Sequence, residues 1–485
     1  MEKEKNASNE PIDLEMQLLG EIELPKDLQV REYQLKAISN WRNHGYCGVF
    51  DMATGTGKTI TAILAMLHLY KHCNERLGVV ILCPYRHLVN QWRNDLERFG
   101  IEVITGYSEN PYGDYIRYLE NSIICYNNNQ LSRFVLLTTN DSFGKREVQC
   151  LLPEVKKNLL LIADEAHTLG SEKRSQYLTD LFDYRLALSA TFERHWDSSG
   201  TKKLKRFFGK NVFSYSLDQA IKDGYLTPYE YHPVICYLSE EEYKEYVEIS
   251  RELSNYFIDD DDTLDLSEIG KMLLIKRARV VAASRDKVTR LFEIMEHYVD
   301  QRNMLIYCGA TDIYGTSDRQ IDYVVEQLRK KWNMKVDRFT CEENVDDRKR
   351  LLKALGDGTI QALTAIKCLD EGVNVPSIET AFILASANNP KEYIQRRGRV
   401  LRKSEGKEKA VIYDFISLPC KKGQKVSSVY LGNSKIERSL VNKEMIRMRA
   451  FELSAMNREE VQKIRKQIME QYEIQNIFEE EYEDG

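Results

Sequence analysis

The chain has 485 residues, of which 42% are hydrophobic and 30% charged. At about 100–200 residues per domain, that length predicts two to four domains with sizeable cores. No apolar run reaches the roughly 18–20 residues that cross a bilayer, and Met1-Glu2-Lys3-Glu4-Lys5 leads into no apolar stretch, which argues against a membrane or secreted protein and for a cytoplasmic one. Ten cysteines are scattered without any C-x-x-C pair, which excludes a zinc ribbon, a thioredoxin motif and a four-cysteine iron–sulfur site. The net charge of −6 argues against a purely electrostatic nucleic-acid coat. That charge is unevenly spread: residues 401–450 hold twelve Lys/Arg against five Asp/Glu, and the last 35 residues hold four against ten. A polyanion contact would therefore be local.

Residues 1–24 read as a polar arm. Short apolar runs then recur at Gly48-Val49-Phe50, Val79 to Leu82, Phe134 to Leu137 and Leu159 to Ile162, separated by helical patterns such as Thr59 to His68 and His87 to Phe99. Apolar strands alternating with helices predict a parallel sheet covered on both faces. A second series follows from about residue 303, with strands at Met304 to Tyr307, Ile360 to Ile366, Thr380 to Leu384 and Ala410 to Tyr413. Helices at Asp318 to Trp332 and Asp346 to Leu355 lie between these strands. The charged stretch 239–300 between the two series reads as helical, with Asp259-Asp260-Asp261-Asp262 as a solvated loop. After residue 436 the spacing of Met445, Met448, Phe451, Ala455, Val461, Ile464 and Ile468 predicts one or two amphipathic helices.

Ala53-Thr54-Gly55-Thr56-Gly57-Lys58-Thr59 follows the first strand and opens a helix. Glycines there allow successive backbone N–H groups to face phosphate oxygens, with the helix dipole behind them. Lys58 would reach the β/γ-phosphates and the Thr59 hydroxyl would take a place on Mg²⁺. Met52 stands where the broad phosphate-loop pattern has its first glycine. The strand Leu159 to Ala163 ends in Asp164 and Glu165. A carboxylate at a strand end can hold Mg²⁺ while its neighbour polarises water, so Asp164 is assigned to the metal and Glu165 to water activation.

With Asp164-Glu165-Ala166-His167 in place, the chain resembles a superfamily 2 helicase or translocase of the DEAH-box type, with motifs in order over residues 28–415. Arg31-Glu32-Tyr33-Gln34 is similar to the adenine-reading motif, in which Gln34 would pair with the base edge. Pro84, Arg86, Leu88, Val89, Gln91 and Trp92 resemble the motif after the second strand, which in the family touches the nucleic-acid backbone, and Thr138-Thr139 occupies a similar position on the next strand. Ser189-Ala190-Thr191 resembles the coupling motif, and the family implies coupling roles for His167 and Gln395 as well. In the second half, Lys367-Cys-Leu-Asp370-Glu371-Gly372-Val-Asn374-Val-Pro376 resembles motif V, with Asn374 where many relatives have Asp. Its Gly372 would border the nucleotide and its Lys367 the nucleic acid. Gln395-Arg396-Arg397-Gly398-Arg399-Val-Leu-Arg402 resembles motif VI, in which Arg399 and Arg402 match the arginine fingers. Arg396 and Arg397 are open between a structural role and backbone contact. The likeness is nearest to the XPB/Rad25 and restriction-subunit groups, although no Arg-Glu-Asp triplet of the XPB type occurs.

The resemblance implies an α/β fold of two tandem RecA-like domains with a short helical C-terminal extension. The expected organisation is an arm at 1–24, an ATP-binding domain at 25–225, a second RecA-like domain at 226–435, and a helical extension with an acidic tail at 436–485. It implies ATP and Mg²⁺ as cofactors and DNA, rather than RNA or a membrane, as the partner. A nuclease or another defence or repair subunit is a possible protein partner. The expected activity is ATP-dependent DNA unwinding or translocation. The alternative is a nucleic-acid-gated ATPase switch, a sensor or clamp without processive unwinding. The basic stretch 401–450 is expected to meet nucleic-acid backbone. The segment Lys271 to Arg290 is open between a strand channel and a solvated helical face.

Overall fold

Uninterrupted apolar runs become the central strands of two parallel sheets, one in each of the compact units Met1–Ser216 and Leu217–Gly485. The computed structural model describes residues 18–20, 23–107, 113–189, 198–260, 263–266, 268–340, 342–366, 378–385, 390–419 and 434–474.

In the first unit β1 (Cys47–Met52), β2 (Leu77–Cys83), β3 (Ile104–Gly106), β4 (Arg133–Thr139), β5 (Leu159–Ala163), β6 (Tyr184–Ser189) and β7 (Asn211–Tyr215) lie in the order β3-β4-β2-β5-β6-β1-β7. Every pairing is parallel. β2 and β5 are buried along their whole length, as strands covered by helices on both faces must be. The helices used below are α1 (Glu32–Asn43), α2 (Lys58–His72) and α3 (Arg86–Arg98). On α3 the buried residues Leu88, Val89, Trp92 and Leu96 recur at helical spacing, and this stripe packs on β2 and β4. The arm expected at 1–24 is anchored where it is described: Leu18 and Leu19 are buried, and the Leu18 carbonyl lies 2.7 Å from His68 Nδ1.

In the second unit β8 (Tyr229–Tyr237), β11 (Met304–Tyr307), β12 (Val336–Phe339), β13 (Ala362–Ala365), β14 (Thr380–Ile383) and β15 (Ala410–Leu418) form a parallel sheet. Its order is β12-β13-β11-β14-β15-β8, and a separate antiparallel pair joins β9 (Phe257–Asp260) to β10 (Thr263–Leu266). That pair corrects the loop expected over the aspartate tract, because Asp259 and Asp260 lie in β9 and pair with Leu264 and Thr263. The charged middle is otherwise helical: α4 (Glu240–Leu253), α5 (Glu268–Ala282) and α6 (Arg285–Met295). Ser239 and Glu242 close a capping box on α4, and the buried Glu242 carboxylate also accepts from Arg285 N at 3.0 Å and Ser284 Oγ at 3.2 Å.

Helices at Gln320–Trp332 and Val345–Gly356 lie between the strands as their pattern predicts, and α7 (Pro390–Val400), α8 (Ser434–Glu452) and α9 (Arg458–Gln471) follow. Met445, Met448, Phe451 and Val461 are fully buried, as their spacing predicts. An ionic cluster ties α8 to β15: Arg447 Nε bonds Asp414 Oδ2 at 3.0 Å, and its terminal nitrogens grip both Glu444 oxygens at 3.0 and 2.8 Å. Asn457 acts as a short strand substitute, accepting from Tyr231 N and donating to Tyr231 O at 3.0 Å each along the edge strand β8. The same strand carries Pro233, which edge strands tolerate.

Candidate functional site

A parallel sheet puts all its carboxyl ends on one rim, and ligands of open α/β sheets bind there. In the first unit that rim carries, in the order of the sheet, Tyr107 after β3, Thr139 at the end of β4, Pro84 to Arg86 after β2, Asp164 and Glu165 after β5, Ser189 ending β6, and residues 53–59 after β1.

The loop between β1 and α2 has the phosphate-binding form expected of it. Gly55 and Gly57 sit at φ +89° and +84°, a left-handed backbone that turns successive amides the same way, and Gly57 caps α2. Thr56 closes the turn by donating from Oγ1 to Ala53 O at 2.6 Å. Tyr33 steadies it from α1 by donating its hydroxyl to the Thr56 carbonyl, while Arg31 donates to that hydroxyl at 2.8 Å. Thr59 lies half-buried in the first turn of α2. Gln34 is buried beside the loop, 3.5 Å from where a Cβ on Gly57 would stand. Its carboxamide accepts from Arg31 N at 2.9 Å and donates to Thr61 Oγ1 at 3.1 Å, so reading a base would require exchanging those bonds. Tyr33 also stacks on Tyr215 of β7, with ring centroids 3.9 Å apart. Sequence reading missed this aromatic pair because 182 residues separate its members and both are ordinary strand or helix residues.

Lys58 Nζ lies 3.3 Å from the Met52 carbonyl and 3.8 Å from Glu165 Oε1. Glu165 is held at φ +46°, ψ +51°, a left-handed conformation that costs a non-glycine residue about 1–3 kcal/mol. Its backbone is clamped there: Glu165 N donates to Asp164 Oδ1 at 3.0 Å, and Thr168 donates to Glu165 O through both N and Oγ1 at 2.9 Å. His167 Nδ1 lies 3.4 Å from Glu165 Oε2. Glu165 Oε2 and Thr54 Oγ1 are buried and make no hydrogen bond within the described residues. Orphaned buried oxygens of this kind, beside a glycine cradle and a lysine, fit a site made for a nucleotide with its cation.

Asp164 is almost fully buried, and burial first, then the Glu165 charge, pushes its carboxyl up to about 6, against the hydrogen bond from Trp92. That bond corrects one expectation. Trp92 was grouped with the backbone-touching residues, yet it is wholly buried and its indole N–H donates to Asp164 Oδ2 at 2.8 Å. The other members of that group differ among themselves. Arg86 is exposed, with its guanidinium 5.7 Å from the Tyr107 ring centroid, while Pro84 and Gln91 are half-buried and Leu88 and Val89 are buried. The Thr139 hydroxyl accepts from Ser142 N at 3.3 Å as a helix cap. Ser189 is fully buried and level with Asp51 of β1. Thr191, Lys367 and Gly372 lie outside the described residues.

In the second unit α7 gathers the arginines. Arg396 donates to the Ala385 carbonyl and covers the Tyr307 ring at 4.7 Å. Arg397 donates to the Ala450 carbonyl at the end of α8 and covers Phe451 at 5.2 Å. Both are buried in structural roles, which resolves the pair left open by the sequence. Gln395 and Arg399 are buried beside them. Burial, then the neighbouring Arg399 guanidinium, lowers Arg402 to about 10, which leaves it charged at neutral pH; an anion brought to the pair would relieve both effects. Arg447, also within the basic stretch expected to meet nucleic acid, faces inward onto Asp414 and Glu444 instead.

Residues 27–194 match the family described as "Type III restriction enzyme, res subunit", and residues 286–404 match "Helicase conserved C-terminal domain". With both domains in order over two parallel sheets, the chain belongs to the superfamily 2 helicases. Among curated proteins it is 25% identical over 427 residues to "DNA 3'-5' translocase XPB2" of Sulfurisphaera tokodaii, covering 84% of this chain and 86% of that one. Among solved structures it is similar in fold to "ATP-dependent Type ISP restriction-modification enzyme LlaBIII bound to DNA", with a TM-score of 0.56 and 17% identity over 89% of this chain. It spans only 31% of that enzyme. The Pyrococcus furiosus Hef helicase domain is also similar in fold, with a TM-score of 0.50 and 16% identity over 84% of this chain and 99% of that domain.

Proposed function

We infer that this chain is an ATP-dependent DNA helicase or translocase, a hydrolase that couples ATP turnover to movement along DNA or its unwinding. The observation that carries this reading is the convergence on one sheet rim of a left-handed glycine loop, Lys58, and two adjacent carboxylates, of which Glu165 keeps one buried oxygen out of every described hydrogen bond. The relative named a DNA translocase, matched along most of both chains, supports DNA as the track.

In this reading the amides of residues 54–58 hold the phosphates at the N-terminus of α2. Lys58, resting near Glu165, is drawn to the phosphate charge; its departure frees the Glu165 carboxylate to take a proton from the attacking water. His167 Nδ1 stands 3.4 Å from Glu165 Oε2 with no hydrogen bond between them, and would close on it once Lys58 has left. Mg²⁺, held by Thr59 and Asp164 of the Asp164-Glu165-Ala166-His167 box, would supply the charge that offsets the phosphate oxygens. Arg399 and Arg402 would serve as arginine fingers, and such residues are worth roughly 10³–10⁵ in rate. Arg86, Pro84, Gln91 and Lys367 would meet the DNA backbone, which positions a strand without reading its sequence. The setting would be cytoplasmic, with a nuclease or another repair or defence subunit as protein partner. Strand-displacement and triplex-displacement assays run side by side test the reading. ATP-dependent displacement in at least one, lost in Glu165→Gln, is expected; displacement in neither would refute it.

A further inference from the structure

Helix α3 starts at the rim of the first unit and runs back over β2 and β4. Its first turn presents exposed Arg86 beside exposed Tyr85, and six residues later, about 9 Å along the axis, Trp92 is enclosed. An indole N–H is a donor only, and a buried one ordinarily finds a backbone carbonyl, as Trp41 does with Arg185 O at 3.1 Å. Trp92 instead donates to Asp164 Oδ2 at 2.8 Å, across from β5. Oδ1 is meanwhile held by Glu165 N at 3.0 Å. The carboxylate is thus fixed by one bond to each oxygen, which sets where its remaining lone pairs point. One of the two bonds belongs to its own strand end. The other belongs to α3, whose start lies among the residues assigned to DNA contact.

We propose that Trp92 is a positioning residue for the Asp164 carboxylate, and that DNA held at the start of α3 acts on the nucleotide's Mg²⁺ through this hydrogen bond. The proposal rests on the reading of Asp164 as the Mg²⁺ carboxylate. A helix moves as a rigid rod, and a slide of about 1 Å takes a 2.8 Å bond past the distance at which it counts as a hydrogen bond. The bond is therefore a short-range sensor of where α3 sits. Groups that orient a metal ligand typically change metal affinity by 10–100-fold when removed.

The test uses the full-length protein and a fluorescent ADP analogue, with Mg²⁺ titrated in the presence and absence of single-stranded DNA and without turnover. Trp92→Phe removes the donor while keeping an aromatic ring, and Trp92→Tyr serves as the second variant if the first does not fold. In the wild type, DNA should lower the Mg²⁺ concentration needed for half-maximal binding. In Trp92→Phe that concentration should rise about 10-fold, DNA should no longer move it, and Mg²⁺-free binding should stay as in the wild type. Trp92→Phe should add nothing to Asp164→Asn, as residues acting through one group do not add. If the variant weakens binding equally with and without Mg²⁺, or worsens Asp164→Asn, Trp92 only packs and the proposal falls. If Asp164→Asn shifts the Mg²⁺ dependence and Trp92→Phe does not, the relay alone is wrong. If Asp164→Asn leaves the dependence unchanged, the Mg²⁺ reading of Asp164 fails and the relay fails with it.

Discussion

Replacing Arg447 by Met should unlock the C-terminal helices from the second sheet. The guanidinium spends its Nε on Asp414 at 3.0 Å and its two terminal nitrogens on Glu444 at 3.0 and 2.8 Å, and all three side chains are buried. Each carboxylate has one further donor, Tyr231 Oη for Asp414 and Ser417 N for Glu444, both at 2.9 Å. Removing the cation leaves two carboxylates in low dielectric, a change that costs about 3–5 kcal/mol when a buried pair is broken from one side. Lys287, buried nearby and interacting with both, offsets part of the loss, so the lower end is expected. Hydrogen exchange in the full chain, followed on peptides spanning β15 and α8, should then accelerate about 10²–10³-fold. Adding Asp414→Asn and Glu444→Gln to Arg447→Met should recover most of the loss, because the carboxamide oxygens still accept from Tyr231 and Ser417 while the unpaired charge is gone. A loss under about 1 kcal/mol for Arg447→Met, or no recovery in the triple variant, would refute this reasoning.

Other consequences are smaller in scope. Without metal, burial and the Glu165 charge hold the Asp164 carboxyl up at about 6, so below that pH Mg²⁺ must displace a proton, and the Mg²⁺ concentration needed for half-maximal ATP hydrolysis should rise as pH falls through about 6, measured by Mg²⁺ titrations across pH. The same upward shift stabilises the metal-free protein below the unfolded carboxyl range and is lost as pH rises through about 6. Asp164→Asn removes the charge but offers one oxygen to two donors, Trp92 Nε1 and Glu165 N, so the relief of charge burial is offset and no rise in melting temperature is expected at pH 7.5 without metal. Asn457→Ala removes two bonds from the edge strand β8 and leaves the buried Tyr231 backbone unpaired there, which should cost about 1–3 kcal/mol, read by urea unfolding. Tyr33→Phe takes the hydroxyl from the Thr56 carbonyl and should weaken nucleotide binding several-fold with little change in melting temperature.

Much of this architecture was legible from local pattern, and the reasons for the rest are specific. The wholly apolar stretches Val79 to Leu82 and Leu159 to Ile162 could only be central parallel strands, and β2 and β5 are those strands. The edge strands carried no such signal: β7 reads Asn-Val-Phe-Ser-Tyr and β8 contains Glu230, His232 and Pro233, because one side of an edge strand needs no apolar cover. The glycine loop, Lys58 and the adjacent carboxylates were found because their chemistry demands fixed spacing. Trp92, Tyr215 and Arg447 were misread or missed because their partners lie 72, 182 and 33 residues away. A basic residue on an amphipathic helix looks alike in sequence whether it faces phosphate or a buried carboxylate. Arg447 shows the second case within the stretch that charge alone assigned to nucleic acid.

In the proposed mechanism the rim formed by residues 54–59, Asp164 and Glu165 hydrolyses ATP in response to DNA. Steady-state ATP hydrolysis by the wild type, Lys58→Ala and Glu165→Gln, each with single-stranded DNA, duplex DNA, forked DNA and RNA, tests it most directly. The wild type should be stimulated by DNA above RNA, and both variants should lose at least about 10²-fold in rate with DNA binding retained. DNA-independent turnover in the wild type, or near-normal turnover in either variant, would contradict it.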